Sequence, residues 1–258
     1  FAFKSELFNQ DHSGIRLCRG INITRGKLRF DSLNEMFWND ESVDLKKYLL
    51  DQGDIVISMD GSLVGRNFAM VQNADLPLLL VQRVARLRAK KGLSQDFLYQ
   101  WIASDHFVKY VDSVKTSSGI PHISATQINE FKITFLPYLE QQKIAVILSK
   151  WDKTIEAQIQ LIEAKEKYKK GLMQNLLTGE VRFPGFDEEW EEVEIQEIGN
   201  VIRGASPRPK GDPKYYGGKV PRLMGKDVTR DGKYVTPSVD FLTEEGALKS
   251  RPCKKGTL

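Results

Sequence analysis

The sequence predicts an α+β fold: a mixed, β-rich domain, then a long coiled-coil-type helix, then the start of a second, similar domain. Three observations predict it. Short aliphatic and β-branched runs lie between turn signals before Pro137. An apolar seam with a seven-residue repeat then runs from Ile144 to Leu176. Beyond Thr178, motifs from the first part of the chain return in the same order.

Asp54 to Met59 is a short β run, entered through Gly53 and left through the turn signal Asp60-Gly61. Val81 to Leu87 is a second, and Lys132 to Phe135 alternates polar with apolar as a half-buried strand does. Between these two, Phe97, Leu98, Trp101, Ile102 and Val108 recur at helical spacing, which predicts a helix over Ser94 to Tyr110 packed on the sheet. Ser124-Ala-Thr-Gln127 has the spacing of a capping box, predicting a short helix through Ile128 and Phe131.

The long helix runs from Glu140 to about Leu177. Steps of four and three place Ile144, Leu148, Trp151, Ile155, Ile162, Leu172 and Leu176 on one seam, with polar Gln158, Lys165 and Lys169 among them. Such a seam packs along another helix, and its polar positions fix register and partner. At about 1.5 Å per residue the helix is roughly 55 Å long, which predicts a rod. The alternative is a surface helix facing its own core. Pro137 is tolerated near the first turn, and Gly179 suits a left-handed C-terminal cap. Glu140 at the start and Lys165, Lys167, Lys169 and Lys170 toward the end complement the helix dipole.

A linker with Pro184 and Gly185 and an acidic patch, Asp187 to Glu192, follow. In the next part Gly225-Lys-Asp-Val-Thr-Arg230 answers to Gly20-Ile-Asn-Ile-Thr-Arg25, and Gly232-Lys233 to Gly26-Lys27. Leu248-Lys249 and Gly256-Thr257-Leu258 answer to Leu45-Lys46 and Gly53-Asp54-Ile55. The expected divisions are a first domain at 1–137, the helix at 138–179, a linker at 180–192 and the opening of a second domain at 193–258. The first copy lacks a counterpart of Val193 to Ala205, and the second stops in mid-strand.

The 258 residues carry a net charge of +4, mildly basic, which permits nucleic acid without requiring it. No run of 18 apolar residues predicts a transmembrane helix, and the opening Phe-Ala-Phe-Lys-Ser-Glu-Leu-Phe does not read as a signal peptide, so a cytoplasmic location is expected. Cys18 and Cys253 are far apart and belong to no metal or redox pair. Phosphate-loop, serine-hydrolase-elbow, zinc-peptidase and adenine-methyltransferase motifs are missing, and His12, His106 and His122 are scattered, so no enzyme activity and no cofactor or metal is expected in this chain.

Basic and small polar residues in expected loops remain. Arg16, Arg19, Arg25, Lys27 and Arg29 surround the repeated motif, Arg66 follows Gly65, and Lys115-Thr-Ser117-Ser118-Gly119 precedes His122. Arg and Lys suit guanine edges and phosphates, and Ser and Thr reach either. Singly, each such residue is more often a solvated surface feature. In two repeated units joined by a rod, they predict a reader of two half-sites on a duplex. The DNA-facing pool is Arg16, Arg19, Arg25, Arg66, Lys115, Ser117, Ser118 and His122. Arg203 to Lys210 offers a corresponding set in the second unit.

Glu140-Gln-Gln-Lys-Ile-Ala145 and Lys170-Gly-Leu-Met-Gln-Asn-Leu-Leu-Thr-Gly179 resemble the conserved helical region of the specificity subunits of type I restriction-modification systems. Gly53 to Gly61, Gln82-Arg83, and Ser118-Gly119 with His122-Ile-Ser124 resemble the target recognition domain that precedes it. Trp190 onward resembles the opening of the next one. The resemblance implies two recognition domains gripping a bipartite double-stranded DNA site, with conserved helices as spacer. It implies a DNA adenine methyltransferase subunit bringing S-adenosylmethionine, and a restriction subunit using ATP and Mg. With one long helix rather than two, the chain is a partial subunit or a half-subunit that forms a homodimer through that helix. A coiled-coil assembly or adapter protein with repeated protein-binding domains is the competing reading. A nuclease or methyltransferase in its own right is the third.

Overall fold

A computed structural model describes residues 3–39, 44–116, 119–231, 234–236, 239–254 and 256. It divides into two compact units, 1–173 and 174–258. The first is α+β as expected. Its strands are β1 (Ile15–Cys18), β2 (Arg25–Gly26), β3 (Phe37–Trp38), β4 (Ile55–Ser58), β5 (Phe68–Met70), β6 (Leu78–Leu80) and β7 (Val84–Leu87). They form two sheets of order β3-β1-β6 and β2-β5-β4-β7. In the first sheet β1 pairs antiparallel with β3 and parallel with β6. In the second β4 pairs antiparallel with β5 and β7, and β2 pairs parallel with β5.

The aliphatic run of β4 has a simple cause. Its side chains alternate between two interiors, so both faces must be apolar. Ile55 and Ile57 face a core with Phe68, Leu98, Ile102, Phe107 and Val111. Val56 faces the other way, into a core with Cys18, Ile23, Ala69, Val71 and Leu78. A third cluster gathers Phe3, Leu17, Trp38, Leu79 and Val81.

Helices α1 (Gln95–Ala103) and α2 (Asp105–Val114) cover the first of these cores. They correct the expectation of one helix over 94–110. Ser104 interrupts it: its backbone is extended and its hydroxyl accepts from Phe107 N, capping α2. The run from 81 to 87 is also shorter than expected, because Gln82 and Arg83 form a turn and β7 begins at Val84. Lys132 to Phe135 is no strand. It has no ladder partner among the described residues, although Ile133 packs on the core. The capping box at Ser124 is present, with Gln127 N donating to Ser124 Oγ at 3.1 Å and Ser124 N to Gln127 Oε1 at 2.9 Å. It opens α3 (Ala125–Asn129), leaving Phe131 just beyond the helix.

Helix α4 is continuous from Tyr138 to Leu177, 40 residues. Its start is bolted to the domain by Gln141, which is fully buried. Gln141 Oε1 accepts from Ser94 N at 2.9 Å, and its Nε2 donates to Leu136 O at 2.7 Å and Gly92 O at 3.1 Å. Ala145 is buried on the same face, Gln100 donates to Asp152 at 2.9 Å, and Lys27 pairs with Glu156. This half of the helix therefore faces its own domain, as the alternative reading had it, while another face stays open. There Trp151 and Ile162 are more than half exposed and Leu148 and Leu172 about two-fifths exposed, while Ile155, also more than half exposed, borders a cavity against the domain. Ile144 and Leu176 are half-buried.

In the second unit the helix ends at Gly179, which is left-handed at φ +77°. The Trp190 ring lies against Gly179, and Arg182 stacks on that ring at 5.1 Å. Then come α5 (Ile195–Ile198), β8 (Tyr216–Pro221), α6 (Gly225–Asp231), β9 (Phe241–Leu242) and α7 (Glu244–Leu248). Strand β8 pairs antiparallel with β9, matching Val220 to Leu242 and Pro221 to Phe241, as β1 with β3 matches Ile15 to Trp38 and Arg16 to Phe37. The repeated motif follows each first strand. Asn22 and Asp227 are both buried, and each accepts from the backbone N–H three residues earlier, Arg19 at 3.1 Å and Met224 at 2.9 Å. One difference stands out. The motif is an α-helix in the second unit and a single 3-10 turn, Gly20–Asn22, in the first. Gly232, Lys233, Thr257 and Leu258 lie outside the described residues.

Candidate nucleic-acid interface

Three loops of the first unit border one depression. The loop after β1 brings Arg19, Gly20 and Ile21; the loop after β4 brings Asp60, Gly61, Ser62 and Asn67; the turn before β7 brings Gln82 and Arg83. The groove lined by Arg19, Asp60, Gln82 and Arg83 has a volume of about 470 Å³, and an adjoining hollow over Ser58, Ser62 and Asn67 about 250 Å³. Gly20 and Asp60 line both.

Backbone bonds hold these loops in place. Asn22 shapes the first: its buried Nδ2 donates to Asn34 O and Oδ1, both at 3.1 Å, while Oδ1 takes Arg19 N. Gly20 allows the close approach to the second, since a Cβ there would lie 2.9 Å from Ser58 Oγ. Asp60 is held from both sides, Met59 N donating to Arg83 O at 2.9 Å and Gly61 N to Pro121 O at 3.0 Å. Arg83 is left-handed at φ +65°, an uncommon state for a residue with a Cβ and one that collects at functional sites. Its Nη1 donates to Asp60 Oδ2 at 3.1 Å, yet its side chain is 69% exposed.

Of the sequence-selected pool, Arg19 lines this groove and takes part in no ion pair among the described residues. His122 borders it through a β-bridge to Asp60, with Nδ1 2.9 Å from Thr116 Oγ1. Arg16 points elsewhere: its Nε is 2.9 Å from Glu35 and its guanidinium lies over the Phe30 ring. Arg25 lines a separate cavity of about 650 Å³ against α4, with Tyr99, Asp152 and Ile159. Lys27 and Arg29 pair with Glu156 and Asp31. Ser117 and Ser118 lie outside the described residues. Asp60 was legible as a turn and, like Gln82-Arg83, through the family resemblance. Asn67 had no signal.

Arg66 and Lys115 converge on one carboxylate. Arg66 is bidentate to Asp112 at 3.1 and 2.7 Å, and Lys115 reaches the same group at 2.6 Å. Hydrogen bonds from Arg66 and then Lys115 hold the Asp112 carboxyl down to about 2. Because the folded value is depressed, its stabilisation is complete above the ordinary value near 3.8 and is lost as pH falls through about 2. The cluster is solvent-screened, so Asp112→Asn is expected to cost under ~1 kcal/mol at neutral pH. Thermal melts of the two proteins should differ at pH 7 and converge near pH 2.

Burial pushes the Cys18 thiol up to about 12, so it is a packing group and no nucleophile. No three His, Cys, Asp or Glu side chains among the described residues converge as a metal site. No helix is long and apolar enough to cross a membrane among the described residues.

Over 159 residues the chain is 36% identical to the type I restriction enzyme EcoAI specificity subunit of Escherichia coli, covering 60% of this chain and 26% of that one. Over 181 residues it is 30% identical to the MjaVIII specificity subunit of Methanocaldococcus jannaschii, covering 66% and 40%. The chain thus spans about a quarter and two-fifths of those relatives. The crystal structure of the HsdS subunit from Thermoanaerobacter tengcongensis superposes with a TM-score of 0.46 at 17% identity, over 80% of this chain and 53% of that one. The model of the type I restriction modification DNA specificity domain matches residues 26–164, more than half of the chain, from the end of β2 past the Asp60 and Arg83 loops and well into α4, with Arg19 outside the match. By that match, the chain belongs to the family of type I restriction-modification DNA specificity domains.

Proposed function

We propose that this chain recognises DNA sequence for a type I restriction-modification complex, holding no active site of its own. The recognition domain spans 1–137 and grips one half of a bipartite duplex site with the Arg19–Arg83 groove. The helix at 138–179 sets the spacing, and past the linker at 180–192 the segment 193–258 opens a second recognition domain. The matched strand registers and the buried Asn22 and Asp227 support that repeat. Methyl transfer from S-adenosylmethionine and cleavage with ATP and Mg belong to partner subunits, and the open face of α4 receives a partner helix, from a second copy or another subunit. The setting is cytoplasmic.

The observation that carries the reading is the groove: a cation free of ion pairs among the described residues, a second exposed arginine and several amide and hydroxyl groups converge on one concave surface. Phosphates need the cations, and base edges need the donors and acceptors. The test is selection of random duplexes by the chain with its candidate methyltransferase subunit, at near-physiological salt. A split motif with a fixed spacer is expected, with affinity falling steeply as salt rises. An assembled complex that enriches no motif would leave the adapter reading, which the exposed seam of α4 also fits.

A further inference from the structure

Resting on that function, we propose that Arg83 reads a guanine in the major groove and that Asp60 is its positioning residue. The two differ from the other charged groups of the face in one respect. Arg19 takes part in no ion pair among the described residues, whereas Arg83 stands against a carboxylate at 3.1 Å and remains largely exposed. An arginine beside a carboxylate has little net charge to offer, and a phosphate approaching it meets the repulsion of Asp60. It is therefore a poor phosphate ligand and a good base reader. Guanine presents two neighbouring acceptors, N7 and O6, on the groove edge, matching the fork of a guanidinium. Arg83 spends only Nη1 on Asp60, so Nε and Nη2 remain as an adjacent donor pair.

The backbone supports the same assignment. A base reader must be held to a fraction of an ångström, which a long surface arginine alone is not. Here the Arg83 carbonyl is bonded to Met59 N, its φ is locked at +65°, and its guanidinium is oriented by Asp60. Asp60 is itself fixed by the bonds of Met59, Gly61 and Ser58, whose Oγ donates to Asp60 O at 3.2 Å. The second carboxylate oxygen, Oδ1, faces the space that Gly20 leaves by lacking a Cβ, 3.4 Å from where that atom would stand.

The experiment is duplex selection with the assembled complex carrying Arg83→Asn, Arg83→Lys or Asp60→Asn. Asparagine tolerates the left-handed backbone, and lysine keeps the charge without the fork. Arg83→Asn and Arg83→Lys are both expected to erase one guanine column, lowering discrimination there from about ten- to hundredfold to near unity, with other columns unchanged. Asp60→Asn should weaken the same column while raising affinity for random duplex, because a repelling charge is gone. Arg19→Ala is the contrast, weakening all sequences alike and reducing the salt slope by about one. A motif whose columns all survive the Arg83 substitutions, or one that loses a column other than guanine, overturns this assignment and leaves the proposed function standing. No motif even from the unaltered complex overturns both.

Discussion

A chain carrying Trp151→Asp and Ile162→Asp is expected to fold as the parent does and to fail in assembly. Both side chains lie on the open face of α4, Trp151 at 64% and Ile162 at 55% exposure, so neither substitution opens a cavity. Once covered by a partner helix, each apolar side chain contributes about 2 kcal/mol, and a buried aspartate adds a desolvation cost. Losing the two together is roughly 4 kcal/mol or more, close to a thousandfold in affinity. Circular dichroism melts should match the parent, whereas the mass of the complex by light scattering should drop to that of its parts. A complex of unchanged mass would show that the seam is not the docking face.

The second large effect is on stability. Gln141→Leu makes the side chain apolar while staying close in size, and so strands Ser94 N, Gly92 O and Leu136 O in a buried site. At about 1 kcal/mol or more for each group, the cost is roughly 3 kcal/mol. For a unit of this size that is on the order of 6–12 °C in melting temperature. The change also unfastens the start of α4 from the domain, so amide exchange in the first turns of the helix should rise. A melting temperature within about 2 °C of the parent would contradict this account. Gln141→Glu keeps Oε1 as acceptor for Ser94 N but sets a buried carboxylate against the Gly92 and Leu136 carbonyls, and a loss at least as large is expected at neutral pH.

Local signals in the sequence were good guides to α4. Its apolar seam and left-handed Gly179 depend on neighbours three and four residues away, and the seam positions named from periodicity are open or only half-buried in the folded chain. The capping box at Ser124 was equally legible, because both of its bonds close within four residues. The split at Ser104 was not: its apolar residues keep helical spacing on both sides, and only the extended backbone of one residue breaks the helix. Lys132 to Phe135 failed for the opposite reason. Alternation predicts a strand only if a neighbouring strand has a free edge to offer, which is a property of the whole sheet.

For the candidate site the division is sharper. Composition, the scattered histidines and the repeated Gly-x-Asn/Asp-x-Thr-Arg motif pointed to recognition rather than catalysis, and to Arg19 and His122 as members of one face. Which arginines are engaged elsewhere was invisible, because Arg66 meets Asp112 and Lys27 meets Glu156 across 46 and 129 residues of chain. Gln141 read as part of a helical motif, and only the folded domain explains why that position is a glutamine: three backbone groups from two loops converge on it. The sequence by itself determined the helix, its ends and its apolar seam, since each is written in short-range periodicity. The tertiary structure alone decided that Arg19, Asp60 and Arg83 share a groove, since strand pairing between distant segments and one left-handed backbone angle bring them together.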